Sequence, residues 1–231
     1  MPRLMFALIA LLLIPDLASA QHRAGAALAI TEPRGEFDTN TDTGYGFAMW
    51  YRYPFGPGKA FAIGADGSMH GYGSTQRRAP LSTTIPEISV EIETNNSTAY
   101  LEGMLEVVAP SGRFRPYAVL GGGAGLFFTT SNLQDPETDE VILSDTNQSD
   151  WTWIWSVGGG LRYLVHERPR EEREPARFFV DIGATRLAGG DVEYLREGSL
   201  ITEDGEFDLD RRLTHSEIEL IFWRVGVAVE F

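Results

Sequence analysis

The chain has 231 residues, no cysteine and a formal net charge of −14 at pH 7, which excludes disulfides, thiolate chemistry and the basic surface that nucleic acid requires. Its 25 Gly, 13 Phe, 8 Tyr and 5 Trp favour strands with close backbone approach and aromatic anchors over helices. A hydrophobic content of 43% is modest for a helical membrane protein but suits strands of which one face meets lipid.

Met1 to Ala20 joins a basic Arg3, an apolar run from Leu4 to Ile14 and the small residues Ala18, Ser19 and Ala20. These are the parts of a secretory signal, so residues 1–20 are expected to be cleaved and residues 21–231 to form one domain. The apolar run is shorter than the roughly 20 residues of a spanning helix. No cysteine follows to accept a lipid, and no later stretch is long and apolar. A mature chain in a membrane must then be a closed barrel, because only helices and barrels satisfy every backbone group in lipid.

Period-two alternation predicts strands near 23–31, 43–53, 59–70, 97–109, 114–128, 151–165, 177–187 and 216–231. In the second, Tyr45, Phe47, Met49, Tyr51 and Tyr53 oppose Gly44, Gly46, Ala48, Trp50 and Arg52. The third sets Phe61, Ile63 and Met69 against Ala62, Gly64, Asp66 and Ser68, and the fourth sets Leu101, Leu105 and Val107 against Tyr100, Glu102, Met104 and Glu106. The fifth is ambiguous around Gly121, Gly122 and Gly123, with Ala118, Leu120, Ala124, Leu126 and Phe128 making the better lipid face. In the sixth, Trp151, Trp153, Trp155 and Val157 oppose Thr152, Ser156, Gly158 and Arg162. The seventh turns Phe178, Val180 and Ile182 away from Arg177, Asp181 and Gly183. The last points Ile221, Trp223, Val225, Val227, Val229 and Phe231 one way and Phe222, Arg224, Gly226, Ala228 and Glu230 the other.

Connections alternate in length. Pro54 to Gly58 and Pro110 to Arg113 are tight and rich in breakers, whereas Thr31 to Asp42, Gly71 to Asn96, Thr129 to Asp150 and Ala188 to His215 are long and polar. His166 to Ala176 departs from this alternation, being long and charged.

The signal segment, the stretch Arg115 to Gly123 and the closing stretch Val225 to Phe231 resemble small OmpA/OmpX-type outer-membrane barrels, with their OmpW-like and opacity-type relatives. The resemblance implies an all-β fold in the bacterial outer membrane. That fold is an eight-stranded antiparallel up-and-down transmembrane β-barrel with short periplasmic turns and long extracellular loops. It also implies that Val225, Val227, Val229 and Phe231 act as the signal read by the outer-membrane assembly machinery. Family members range from adhesins and anchors to narrow pores and lipid-modifying enzymes, so the fold alone licenses little about the task.

Inward positions collect Arg52, Asp66, Glu102, Glu106, Arg162, Arg177, Asp181, Arg224 and Glu230, and the near balance of sign predicts a lumenal ion-pair network. Bulky Trp50, Tyr100 and Phe222 on the same face favour a packed plug over a gated ion path. Arg77, Arg78, Arg211 and Arg212 flank predicted outer strand ends, where guanidinium forks would meet lipopolysaccharide phosphates. His215, Ser216 and Glu217 invite a hydrolase reading, but on a strand Ser216 points opposite to its neighbours. No catalytic, metal or cofactor site is expected. The expected role is a structural or surface-interaction barrel whose extracellular ligand the loops do not reveal. The alternatives are a narrow pore or transporter for small or hydrophobic solutes and, as a minor one, a lipid A-modifying enzyme.

Overall fold

The computed structural model describes residues 22–39, 41–80, 89–134, 141–168, 176–195 and 213–231. The strands are β1 (Arg23–Pro33), β2 (Gly44–Phe55), β3 (Phe61–Pro80), β4 (Ser89–Val108), β5 (Phe114–Gln134), β6 (Val141–Glu167), β7 (Arg177–Leu195) and β8 (Leu213–Glu230). A short helix, α1 (Gly35–Asp38), lies between β1 and β2, and a 3-10 turn (Pro57–Lys59) lies between β2 and β3. Each strand pairs antiparallel with the next, and β1 closes on β8 in register from Arg23 with Glu230 to Pro33 with Leu220. The seam continues past the last strand residues. His22 N donates to the Phe231 carbonyl at 2.7 Å, and Phe231 N donates to the His22 carbonyl at 2.9 Å.

Closure leaves no open edge along the spanning part of the wall, and this is what lipid demands of a sheet. The outward face is apolar to a degree that water would not tolerate: Trp151 is 71% exposed, while Ile154 behind it is 2% exposed. Tyr53, Phe55, Phe61, Phe114, Tyr163 and Phe231 lie exposed toward the end that holds both termini, with Phe114 and Tyr163 rings 4.8 Å apart. They form one aromatic girdle of the kind that sits at a membrane interface. At this end the turns are tight because Gly56, Gly58 and Gly112 take φ of 75°, 62° and 98°, which glycine adopts without steric cost.

Several strands run past the expected ends. β3 continues to Pro80 against β4 from Ser89, with Thr75 opposite Thr94 and Arg77 opposite Ile92. β5 and β6 continue to Gln134 and from Val141, and β7 and β8 continue to Leu195 and from Leu213. Much of what the sequence marks as long polar connection is thus ladder. Above the apolar band neither face is selected by lipid, so alternation fades from the sequence while backbone pairing persists. The helix α1 is a second departure, because the stretch between β1 and β2 reads only as polar loop.

Candidate functional site

The interior is layered. Nearest the termini, Glu230 on β8 accepts from Arg23 Nε at 3.1 Å, Arg115 Nη1 at 3.0 Å and Arg177 Nη1 at 3.1 Å. One step deeper, Glu106 on β4 accepts from Arg23 Nη1 at 3.2 Å, Arg52 Nε at 3.2 Å, and both Arg162 Nη atoms at 2.8 Å each. Asp181 on β7 accepts from Arg162 Nε and from the Tyr117 hydroxyl, both at 2.9 Å. Arg224 Nη2 donates to the same Tyr117 oxygen at 3.1 Å and Nη1 to Asp66 at 3.4 Å, and Arg52 also pairs with Asp66. The network links all eight strands, because each contributes a charge to it, β5 through Arg115, and β5 also adds the Tyr117 hydroxyl.

Trp50 sits inside this network as an aromatic platform. The guanidinium carbons of Arg162, Arg52 and Arg224 lie 4.5, 5.6 and 5.9 Å from its ring centroid, and such contacts strengthen when desolvated. Gly25 on β1 leaves the room for the Trp50 indole, since a Cβ there would overlap the ring. Charged hydrogen bonds of this kind are shorter and stronger than neutral ones, and a buried charge is tolerated only when so paired. Beside the network a small cavity between Arg23, Trp50, Arg115, Arg162, Phe179 and Glu230 has room for about one water.

The far half of the lumen is apolar. Phe127, Tyr194, Ile218, Leu220, Val192 and Tyr72 are among a buried cluster. Phe37 of α1, from the β1–β2 connection, joins it, with ring centroids 5.6 Å from Tyr194, 5.9 Å from Phe127 and 6.4 Å from Tyr72. Between the charged and apolar halves lie His70, Thr98, Tyr100 and Glu102, all buried.

Of the predicted lumenal charges, Arg52, Asp66, Glu106, Arg162, Asp181, Arg224 and Glu230 join one network. Glu102 is the exception. It is buried on the lumenal face but makes no ion pair within 4 Å among the described residues, although it stands on β4 in register with Asp66, to which Arg52 and Arg224 both bind. Arg23, Arg115 and Tyr117 were missed as members. Their inward parity was present in the sequence, but in β1 both faces are small or apolar and Arg115 precedes a proline, so neither announced itself.

A family model for the outer membrane protein beta-barrel domain matches residues 4–231. The chain belongs to that family. Among solved structures, this outer-membrane barrel is similar to Neisserial surface protein A, NspA, at 13% identity and TM-score 0.43, covering 91% of this chain and 97% of that one. It is also similar to the attachment invasion locus protein Ail of Yersinia pestis in complex with the heparin analogue sucrose octasulfate, at 16% identity and TM-score 0.36, covering 92% and 97%. OprG of Pseudomonas aeruginosa follows at 10% identity and TM-score 0.37, covering 92% and 96%. No curated protein matches the chain.

The family sets the barrel in the bacterial outer membrane, so the end with the tight turns and both termini is periplasmic. The remaining predicted residues can then be located. Val225, Val227 and Phe231 are exposed on the lipid face of the barrel's closing strand, and Val229 is half-buried opposite Phe178. Arg77 and Arg78 lie on the outer extension of β3, opposite Ile92 and Glu91, whereas Arg211 and Arg212 fall outside the described residues. His215 and Glu217 are exposed on the outside of β8 while Ser216 is buried and shares a 2.9 Å hydrogen bond with Tyr194. These three side chains form no hydrogen-bonded trio.

Proposed function

We propose that this barrel is a non-enzymatic scaffold that presents its outer strand extensions and loops at the cell surface around a lumen closed to ions and solutes. One observation carries the reading: the interior is filled from end to end, by paired charges in the periplasmic half and by aromatic and aliphatic side chains in the outer half. A barrel of this strand number has an interior just wide enough for side chains to fill, so a conducting path would require the network or the cluster to come apart. The outward direction of His215 and Glu217, opposite to Ser216, supports the absence of hydrolase chemistry.

Osmotic swelling of liposomes holding the refolded protein tests the closed lumen. Swelling in small neutral sugars should match that of empty liposomes, and rapid size-dependent swelling would instead establish the narrow pore. Two partners belong to the same proposal. Arg77, Arg78, Arg211 and Arg212 would fork lipopolysaccharide phosphates, so replacing all four with Ala should lower thermal stability in lipopolysaccharide bilayers and not in phosphatidylcholine. Val225, Val227, Val229 and Phe231 would be read by the assembly machinery, so their replacement with Ser should slow catalysed insertion more than spontaneous refolding.

A further inference from the structure

We propose that the small cavity at the periplasmic end of the lumen binds one halide anion of chloride's size, clasped by Arg23, Arg115 and Arg162 with the Trp50 indole N–H as a neutral donor. The first observation is charge. Arg23, Arg115 and Arg162 wall the cavity and are 5%, 6% and 2% exposed, while Glu230 is the one carboxylate among its described lining residues. Buried charges are tolerated when they are matched, and here the match is thin. Among the described residues Arg115 reaches a single carboxylate oxygen, Glu230 Oε2, and Arg23 Nε draws on that same oxygen. The other Glu230 oxygen accepts from Arg177, and Arg23 Nη1 shares Glu106 Oε1 with Arg162. Arg23 and Arg115 therefore hold no carboxylate oxygen of their own.

The second observation is an orphaned donor. Trp50 is 3% exposed and lines the cavity, yet its Nε1 has no hydrogen-bond partner among the described residues. An indole nitrogen only donates, as a guanidinium does, so every polar side chain on this wall other than Glu230 is a donor. Val108 and Phe179 add hydrocarbon. A water molecule needs acceptors for its two hydrogens, and Glu230 already takes three N–H bonds. A halide carries no hydrogen and accepts from every side, so it suits this wall better than water does. The low local dielectric strengthens the charge-assisted bonds it would make.

Size sets the class of ligand. With room for about one water, the cavity fits a monatomic anion and excludes phosphate, sulfate and organic carboxylates. Position sets the access. The cavity adjoins the Glu230 layer, which is nearest the termini, so an anion entering from the periplasm need not cross the lumen. Failure of the closed-lumen reading would leave this site untouched, and the reverse holds as well. Because only the folded barrel assembles these donors, a bound halide stabilises it by mass action.

The test follows thermal unfolding of the full mature chain refolded in zwitterionic micelles, at fixed ionic strength, while gluconate is replaced by chloride, bromide or sulfate. Chloride and bromide should raise Tm along a saturating curve that sulfate does not reproduce. Arg115→Gln should abolish the saturating rise. Trp50→Phe keeps a ring but removes the N–H, and should raise the half-saturating concentration about three- to tenfold, the worth of one neutral hydrogen bond. Crystals grown in bromide should show an anomalous peak between Arg23, Arg115 and Trp50. The proposal fails if chloride, sulfate and gluconate act alike, if either variant titrates as the parent does, or if no bromide peak lies at that place. If Arg115→Gln does not fold, Trp50→Phe and the bromide position decide.

Discussion

Arg162 on β6 grips Glu106 on β4 with both terminal guanidinium nitrogens, each 2.8 Å from a different carboxylate oxygen. β5 stands between those two strands in the wall, so the pair spans the interior and does not follow a ladder. It ties together parts of the wall two strands apart, beyond the reach of the backbone ladder.

Removing that carboxylate should be the most damaging single change in the lumen. Glu106→Gln leaves Arg23, Arg52 and Arg162 facing each other without their shared anion, and breaking a buried pair typically costs about 3–5 kcal/mol. Guanidinium unfolding in micelles, followed by the heat-modifiable gel shift, checks the size of the loss.

A surface pair provides the contrast. Arg186 and Glu219 are 2.6 Å apart but 59% and 39% exposed, and exposed pairs contribute about 0–1 kcal/mol. Glu219→Gln should therefore leave the unfolding midpoint nearly unchanged, and a loss comparable to that of Glu106→Gln would show that burial is not what separates them.

Phe37→Ala should lower stability by about 2–3 kcal/mol, the transfer value of a buried phenyl ring, because the ring is 3% exposed. The loss should be local to the outer half. Hydrogen exchange should quicken at the Thr41 amide, which donates to the Phe37 carbonyl at 3.1 Å, and remain slow along β4 near Glu106.

Gly46→Ala tests close packing of the wall. A Cβ at Gly46 would meet His70 Nδ1 at 2.8 Å as well as the β3 backbone, and overpacking of this kind costs about 1–3 kcal/mol. The same change at the turn glycine Gly112 should act through its φ of 98° and slow hairpin closure without disturbing the lumen.

The barrel itself was legible because lipid imposes a strict two-residue period. Trp151, Trp153 and Trp155 on one side and Thr152 and Ser156 on the other leave little choice of face. Most of the charge network was legible for the same reason, since Arg52, Asp66, Glu106, Arg162 and Asp181 all fall on the face opposite the aromatics. What escaped lacked that contrast. Arg23 precedes Gly25, Ala27 and Ala29, small residues that fit either face. Phe37 belongs to a four-residue helix, too short for any periodicity. Glu102 has the right parity but makes no direct ion pair among the described residues, and pairing depends on height along the barrel, which alternation does not encode.

Single-channel recording in planar bilayers tests the central claim of a filled lumen most directly. Pure refolded protein should stay silent over a wide range of voltage, because every path through the barrel meets the arginine and carboxylate layers and the Phe37 cluster. Steady, discrete openings from the unmodified protein would contradict that account and make the charge network a gate.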